Sequence, residues 1–178
     1  SRIMISLNHN EHMYITASYL INQDYDLYYD FSYLQTPFIV YFYAFLFKFL
    51  NFNGYYLLTA KVISFICVII SAIFIFLISK KIIINTEISL SIITIYLLNS
   101  IIIRSASEVS NYIMPLTLSM ASFYVTYLSL RKDSINKKLI SIGGIFLGLV
   151  IGIKLTYITL IFPFLLLIYF FPIIKKNP

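Results

Sequence analysis

Charge is what this sequence has least of. Only 11% of its 178 residues are Asp, Glu, Lys or Arg, whereas 60% are hydrophobic and the mean hydropathy is +0.89. A soluble domain carries ~25% charged and ~45–50% apolar residues. So little charge cannot clothe a water-facing surface, which excludes a water-soluble fold and sets lipid against the chain. Cysteine is nearly missing too. Cys67 stands alone inside an apolar run, so there is no disulfide framework and no thiolate set for a metal. It reads as a small buried hydrophobe. There is no His-Glu-x-x-His run and no Ser/His pair, which argues against a membrane-embedded protease. Residues 1–7 lack the apolar stretch of a targeting signal. The net charge of +6 is spread as short punctuation between apolar runs and is not gathered on one amphipathic element. That pattern fits membrane topology and not nucleic-acid binding.

What is present is a series of apolar runs, measured against the ~20 residues that a bilayer requires of a helix. Five qualify as spans: 55–79, 88–103, 111–130, 139–153 and 155–174. The second and fourth are short. Basic groups follow alternate spans: Lys80 and Lys81, then the 131–138 loop, then Lys175 and Lys176. All three therefore fall on one side, which the positive-inside rule makes cytoplasmic. Residues 1–54, the 104–110 loop and Lys154 fall on the other. A chain that begins outside implies an earlier span, so the sequence reads as a fragment of a longer protein. The predicted fold is all-α, a polytopic transmembrane helix bundle with two membrane-surface helices in its first outer loop.

Those two helices lie in residues 1–54, which also hold four of the seven acidic residues and both histidines. Residues 10–22 place Met13, Ala17, Leu20 and Ile21 near one face, with Asn10 as the N-cap. Residues 37–50 open on Pro37 and are almost wholly apolar and aromatic, yet too short to cross; rings of that kind favour the headgroup level. A tyrosine- and aspartate-rich loop joins the two. Pro115, inside the third span, marks a kink. Gly143, Gly144, Gly148 and Gly152 fit close helix packing at small-residue spacing.

Ionisable and polar groups near a membrane are expensive unless paired or used. The outer side collects Asn10, Glu11, His12, Asp30, Gln35, Arg104, Glu108, Asn111 and Lys154, while the other side has mostly lysines. The bland readings are a helix-dipole acid for Glu11, an interfacial polar group for His12 and a loop cap for Asp30. For Arg104 and Lys154 the bland reading is snorkelling, and for Glu108 it is pairing with Arg104.

The segments Asn10-Glu11-His12-Met13-Tyr14 and Tyr33-Leu34-Gln35-Thr36-Pro37 resemble the first outer loop of the C-type membrane glycosyltransferases. The branch they are most similar to is the dolichyl-phosphate-mannose protein mannosyltransferase and aminoarabinose transferase family. The likeness continues through Phe47-Lys48-Phe49, Lys61, Arg104 to Glu108, and Gly148 to Lys154, and so covers essentially the whole chain.

The resemblance implies transfer of a sugar from a polyprenyl-phosphate carrier to an acceptor on the outer face, usually with inversion. Its catalytic positions are Asn10, Glu11 and Asp30, with a carboxylate at the start of the first surface helix acting as general base. Its substrate-binding positions are Tyr14, Gln35, Arg104, Glu108, Asn111 and Lys154, the basic ones holding the carrier phosphate. The sequence departs from the family at Asn10, where relatives carry aspartate; an amide cannot accept the proton, so the base role passes to Glu11 or elsewhere. No cofactor is implied with certainty, and a divalent cation is the one left open. The partners implied are the bilayer and the polyprenyl-phosphate sugar, with the acceptor unspecified. Two other classes fit the composition: a transporter or lipid flippase without covalent chemistry, and a non-catalytic homologue.

Overall fold

The computed structural model of the chain describes residues 9–50, 55–83, 85–131 and 136–176, of which 9–10 and 171–176 are described by their backbone alone. All regular structure among them is helical: α1 His9–Asn22, α2 Phe38–Leu50, α3 Tyr56–Ile82, α4 Thr86–Leu98, α5 Ser100–Ser107, α6 Ile113–Arg131, α7 Lys137–Ile153 and α8 Ile161–Lys176. A 3-10 segment, Leu155–Leu160, precedes α8.

Two helices, α3 and α6, are long and apolar enough to cross a membrane. At a rise of ~1.5 Å per residue, the 27 residues of α3 and 19 of α6 reach about 40 and 28 Å, close to or beyond a ~30 Å hydrocarbon core. The pair α4 and α5 would make a third span if it is counted as one. The expected single helix over 88–103 is not what forms. Residues 86–98 and 100–107 are separate helices bent by 61° at Asn99. Asn99 causes the break: its Oδ1 accepts the Ile101 N–H at 2.9 Å and so caps α5, while its own N–H turns back to the Tyr96 carbonyl at 3.2 Å.

Inter-helix pairs give the direction of each element. Thr117 donates to the Cys67 carbonyl at 2.9 Å, Phe74 packs on Tyr124 at 5.7 Å, and Tyr127 donates to the Lys81 carbonyl at 3.3 Å. Position advances together on both helices, so α3 and α6 run parallel and α4–α5 brings the chain back between them. Between α6 and α7 the order reverses. Ser129 donates to the Asn136 carbonyl and Ser122 to the Gly143 carbonyl, each at 2.7 Å, so these helices are antiparallel. Gly143 is required there: a Cβ would collide with Thr126 Oγ1 and lie 3.2 Å from the Ser122 carbonyl. Pro115 sits in the first turn of α6, where a missing N–H leaves no helical bond unmade, and not at a mid-span kink.

One end of the bundle therefore gathers Lys80, Lys81, Arg131, Lys137 and Lys138. The other is capped by α1, α2 and the loop between them. α2 buries Ile39, Val40, Tyr43, Ala44 and Phe47 and exposes Phe38, Tyr41, Phe42, Phe45 and Phe49. Its 13 residues reach about 20 Å, short of a crossing. Ser18 on α1 stitches the two together, donating to its own helix at Tyr14 and to the Val40 carbonyl at 3.0 Å. The main apolar core lies under this cap, where Tyr14, Leu27, Tyr33, Val40 and Tyr43 meet Val109 and Ile153 from the far part of the chain.

Candidate functional site

The loop between α1 and α2 is built to hold one residue, Gln35. Asp24 and Tyr28 take left-handed backbone, φ 64° and 72°, a conformation that costs a non-glycine residue about 1–2 kcal/mol. Local bonds hold it: Tyr28 N–H reaches the Phe31 carbonyl at 3.1 Å, and Tyr28 Oη donates to the Gln35 carbonyl at 2.6 Å. Asp30 accepts the Asp26 N–H at 2.7 Å, so its carboxylate works inside the loop. Leu27 and Tyr33 anchor the loop in the core.

Gln35 then gathers the site. Its Oε1 accepts from Tyr14 Oη at 2.8 Å and from Asn111 Nδ2 at 2.7 Å. Three segments far apart in sequence converge on this one amide: α1, the loop before α2 and the loop before α6. Burial pushes the Tyr14 phenol up to about 12, against a smaller opposing effect of the Gln35 bond, so it stays a neutral donor at ordinary pH. Tyr33 is raised further still, for the same reason.

Beside Gln35, Thr36 Oγ1 donates to the Ile153 carbonyl, the last of α7, at 2.5 Å. Lys154 follows as the helix cap, with extended backbone (φ −150°, ψ 109°) that turns the chain into the 3-10 segment. Its ammonium lies over the Tyr112 ring, 3.3 Å from the centroid, a cation–π contact. Among the described residues no carboxylate lies within ion-pair distance of Lys154.

These groups line one cavity of about 510 Å³, walled by Tyr14, Gln35, Asn111, Tyr112, Lys154 and Thr156 with apolar Leu34 and Ile153. Four of the six substrate-binding positions expected from the sequence, Tyr14, Gln35, Asn111 and Lys154, therefore share a wall. Arg104 and Glu108 do not. They bond to each other, Arg104 Nε lying 3.1 Å from both carboxylate oxygens, with Arg104 69% exposed on the last turn of α5. Tyr112, Thr36 and Thr156 were not singled out from sequence. Their signal was position alone, next to Asn111, Pro37 and Lys154.

Glu11 is engaged away from the cavity. Its side chain is 1% exposed, its Oε1 lies 3.3 Å from Lys61 Nζ on α3 and accepts the Val109 N–H at 2.8 Å. The carboxylate clamps α1, α3 and the loop before α6 together behind the cavity wall, and does not open onto the cavity. Asn10 is already helical in α1 and is not the N-cap; its side chain lies outside what is described. His12 is exposed and shares a 3.3 Å contact with Thr16. No group of three or more potential metal ligands occurs among the described residues.

No family model, no curated protein and no solved structure matches the chain. The chemistry of the cavity has to be read from its own walls. They offer one ammonium, two phenols, two carboxamides and two threonines. Such a set suits an oxygen-rich anion, with the amides and hydroxyls left for neutral hydroxyl groups.

A second cavity adjoins the first. About 400 Å³ in volume, it lies among α2, α3, α6 and α7 and is lined by Phe38, Phe42, Phe74, Met114, Phe146 and Leu149, with Cys67 and Ile153 also on its wall. Ile153 belongs to both cavities. Phe42 continues the apolar lining into a further groove between α2 and α3.

Proposed function

We propose that the chain forms the lipid-phosphate site of a multi-pass membrane glycosyltransferase, facing the outer side of the membrane. The observation that carries this reading is the junction at Ile153. A polar cavity with a lysine and no acid partner among the described residues opens there beside an apolar cavity that shares Ile153 and runs toward the middle of α3, α6 and α7. A polyprenyl phosphate has that shape of chemistry: an anionic head for Lys154, and a hydrocarbon tail for the space among α2, α3, α6 and α7. The resemblance in residues 10–37 and 148–154 points to the same substrate class.

In the reaction, an acceptor oxygen or nitrogen attacks the anomeric carbon as the sugar–phosphate C–O bond breaks, and the electron pair leaves with the carrier phosphate. Lys154 stabilises the charge that gathers on that phosphate. Tyr14, Gln35 and Asn111 orient the sugar by hydrogen bonds to its hydroxyl groups. The acceptor proton goes to a loop carboxylate. Glu11 is held behind the wall; the candidates are Asp30 and Glu108, each of which must first leave its partner, the Asp26 N–H or Arg104.

Binding of farnesyl phosphate to the chain in nanodiscs tests the head site. A charge-assisted bond is worth ~1.5–3 kcal/mol, so Lys154→Ala raises Kd roughly 10- to 100-fold. Arg104→Ala, outside the cavity wall, leaves it unchanged. An unaltered Kd for Lys154→Ala refutes the reading. A flippase without covalent chemistry is the second reading, favoured by the broken α4–α5 helix, since discontinuous helices are common in transporters. A glycosylated acceptor formed from a polyprenyl-phosphate sugar decides for the transferase.

A further inference from the structure

The wall between the two cavities is made by two short segments that cross. Thr36 bonds to Ile153, and two residues on, Phe38 packs on Gly152. The contact is close: a Cβ added at Gly152 would stand 2.8 Å from Phe38 Cδ2 and 3.1 Å from both Cε2 and Cγ. Pro37 lies between the two contacts and stiffens the backbone at the start of α2, its carbonyl accepting from both Val40 and Tyr41 at 3.1 Å. The Phe38 ring lines the apolar cavity, Thr36 the polar one, and Ile153 both. Phe38 is nevertheless 48% exposed, so its ring is free to turn where its backbone is not.

From this geometry we infer that Phe38 and Gly152 are the positioning residues of the lipid-phosphate ligand, forming a sill over which the first carbons of its tail must pass. The inference rests on the proposed lipid-phosphate reading and goes beyond it by naming what couples head to tail. A side chain at Gly152 would displace the ring, which occupies that space. The ring in turn sets how far the mouth of the apolar cavity opens next to Lys154. A ligand with a head alone does not meet the sill; a ligand with head and tail does.

Two ligands separate the cases: inorganic phosphate, a head alone, and farnesyl phosphate, head and tail. Cys67 lines the apolar cavity and is the sole cysteine of the sequence, so its alkylation by a lipophilic maleimide reports tail occupancy without any need for activity. In the unaltered chain in nanodiscs, farnesyl phosphate slows alkylation, and inorganic phosphate alone does not but competes with farnesyl phosphate. Gly152→Ala forces the ring off its seat and into the mouth. The half-protecting concentration of farnesyl phosphate then rises roughly tenfold or more, as overpacking of a fitted site does, while direct binding of inorganic phosphate holds. Adding Phe38→Ala to Gly152→Ala returns protection to within about threefold of the unaltered chain. Phe38→Trp, which enlarges the ring from the other side, raises the farnesyl phosphate requirement in the same way and serves if Gly152→Ala does not fold.

Equal shifts for both ligands, an unshifted Gly152→Ala, or no recovery in the double variant overturns the sill. Failure of the underlying reading looks different. In that case farnesyl phosphate does not protect Cys67 in the unaltered chain, or protects it equally with Lys154→Ala in place, and the sill falls with it.

Discussion

Glu11 and Lys61 are 50 positions apart and meet in the interior, where a charge without a partner is strongly disfavoured. The pair is further tied by the Val109 N–H, which gives Glu11 Oε1 a second donor. Breaking a buried ion pair by removing one partner costs roughly 3–5 kcal/mol, whereas replacing both by apolar groups of similar size is often neutral. Glu11→Gln is therefore expected to lower the thermal midpoint of the chain in detergent by well over the effect of a surface change. Glu11→Leu with Lys61→Met is expected to restore most of it, less the bond to Val109. A general base behaves otherwise: its amide variant loses ~10²–10⁴ in rate at unchanged stability. Differential scanning fluorimetry of the single and double variants separates the two, and a Glu11→Gln chain as stable as the original rules out the clamp.

The same pair shows where the limits of sequence reading lay. Glu11 was visible as an outer-side acid, but its partners are 50 and 98 positions away, and no local periodicity carries that information. Tyr14, Gln35, Asn111 and Lys154 were legible as a group because lone polar residues at one end of apolar runs are conspicuous. Their convergence on the Gln35 side chain was not. Arg104 and Glu108 looked equally conspicuous and turned out to satisfy each other, an ordinary i, i+4 pair on an exposed helix.

At the scale of elements, hydrophobic length located α2, α3 and α6 to within a few residues, because each is bounded by proline, glycine or basic groups. It failed at Asn99. The run from 88 to 103 is uninterrupted in charge, so only the competition of an asparagine side chain for backbone donors marks the break. Gly143 was legible as a packing residue, though not its partner. The α6–α7 seam is made of Ser122, Thr126 and Ser129, all buried, facing the turns around Gly143 and Asn136. Because backbone and a buried hydroxyl oppose the missing Cβ, Gly143→Ala must push the helices apart. Overpacking of this kind costs about 1–3 kcal/mol. Gly144→Ala, with nothing within 4 Å of its Cβ, is the internal control and is expected to be neutral or slightly stabilising, since alanine favours helix. Equal thermal midpoints for the two variants would contradict the seam.

At the scale of the whole molecule, the parallel course of α3 and α6 has a consequence for topology. If two spans run parallel, their C-terminal ends share a side. Lys80 and Lys81 end one, Arg131 ends the other, and Lys137 and Lys138 open α7 next to it. The opposite end carries the Gln35 and Lys154 cavity. A bundle with its lysines and arginines at one end and its polar cavity at the other has only one favourable orientation under the positive-inside rule, lysines to the cytoplasm. The prediction is that residues 80–87 and 131–138 face the cytoplasm and residues 8–36 and 104–110 the outside. The starting point for the test is Cys67→Ala, which clears the sole cysteine of the sequence. Single cysteines at Gln23 and Ser107 should react with an impermeant maleimide added to intact cells. Cysteines at Thr86 and Lys138 should react only after the membrane is opened. The Ser107 and Lys138 pair is decisive, since these positions flank α6 and nothing else. Reaction of both from one side means that α6 does not cross, and the cavity would then lie on the same side as the lysines, where neither the parallel helices nor the charge bias would have a common explanation.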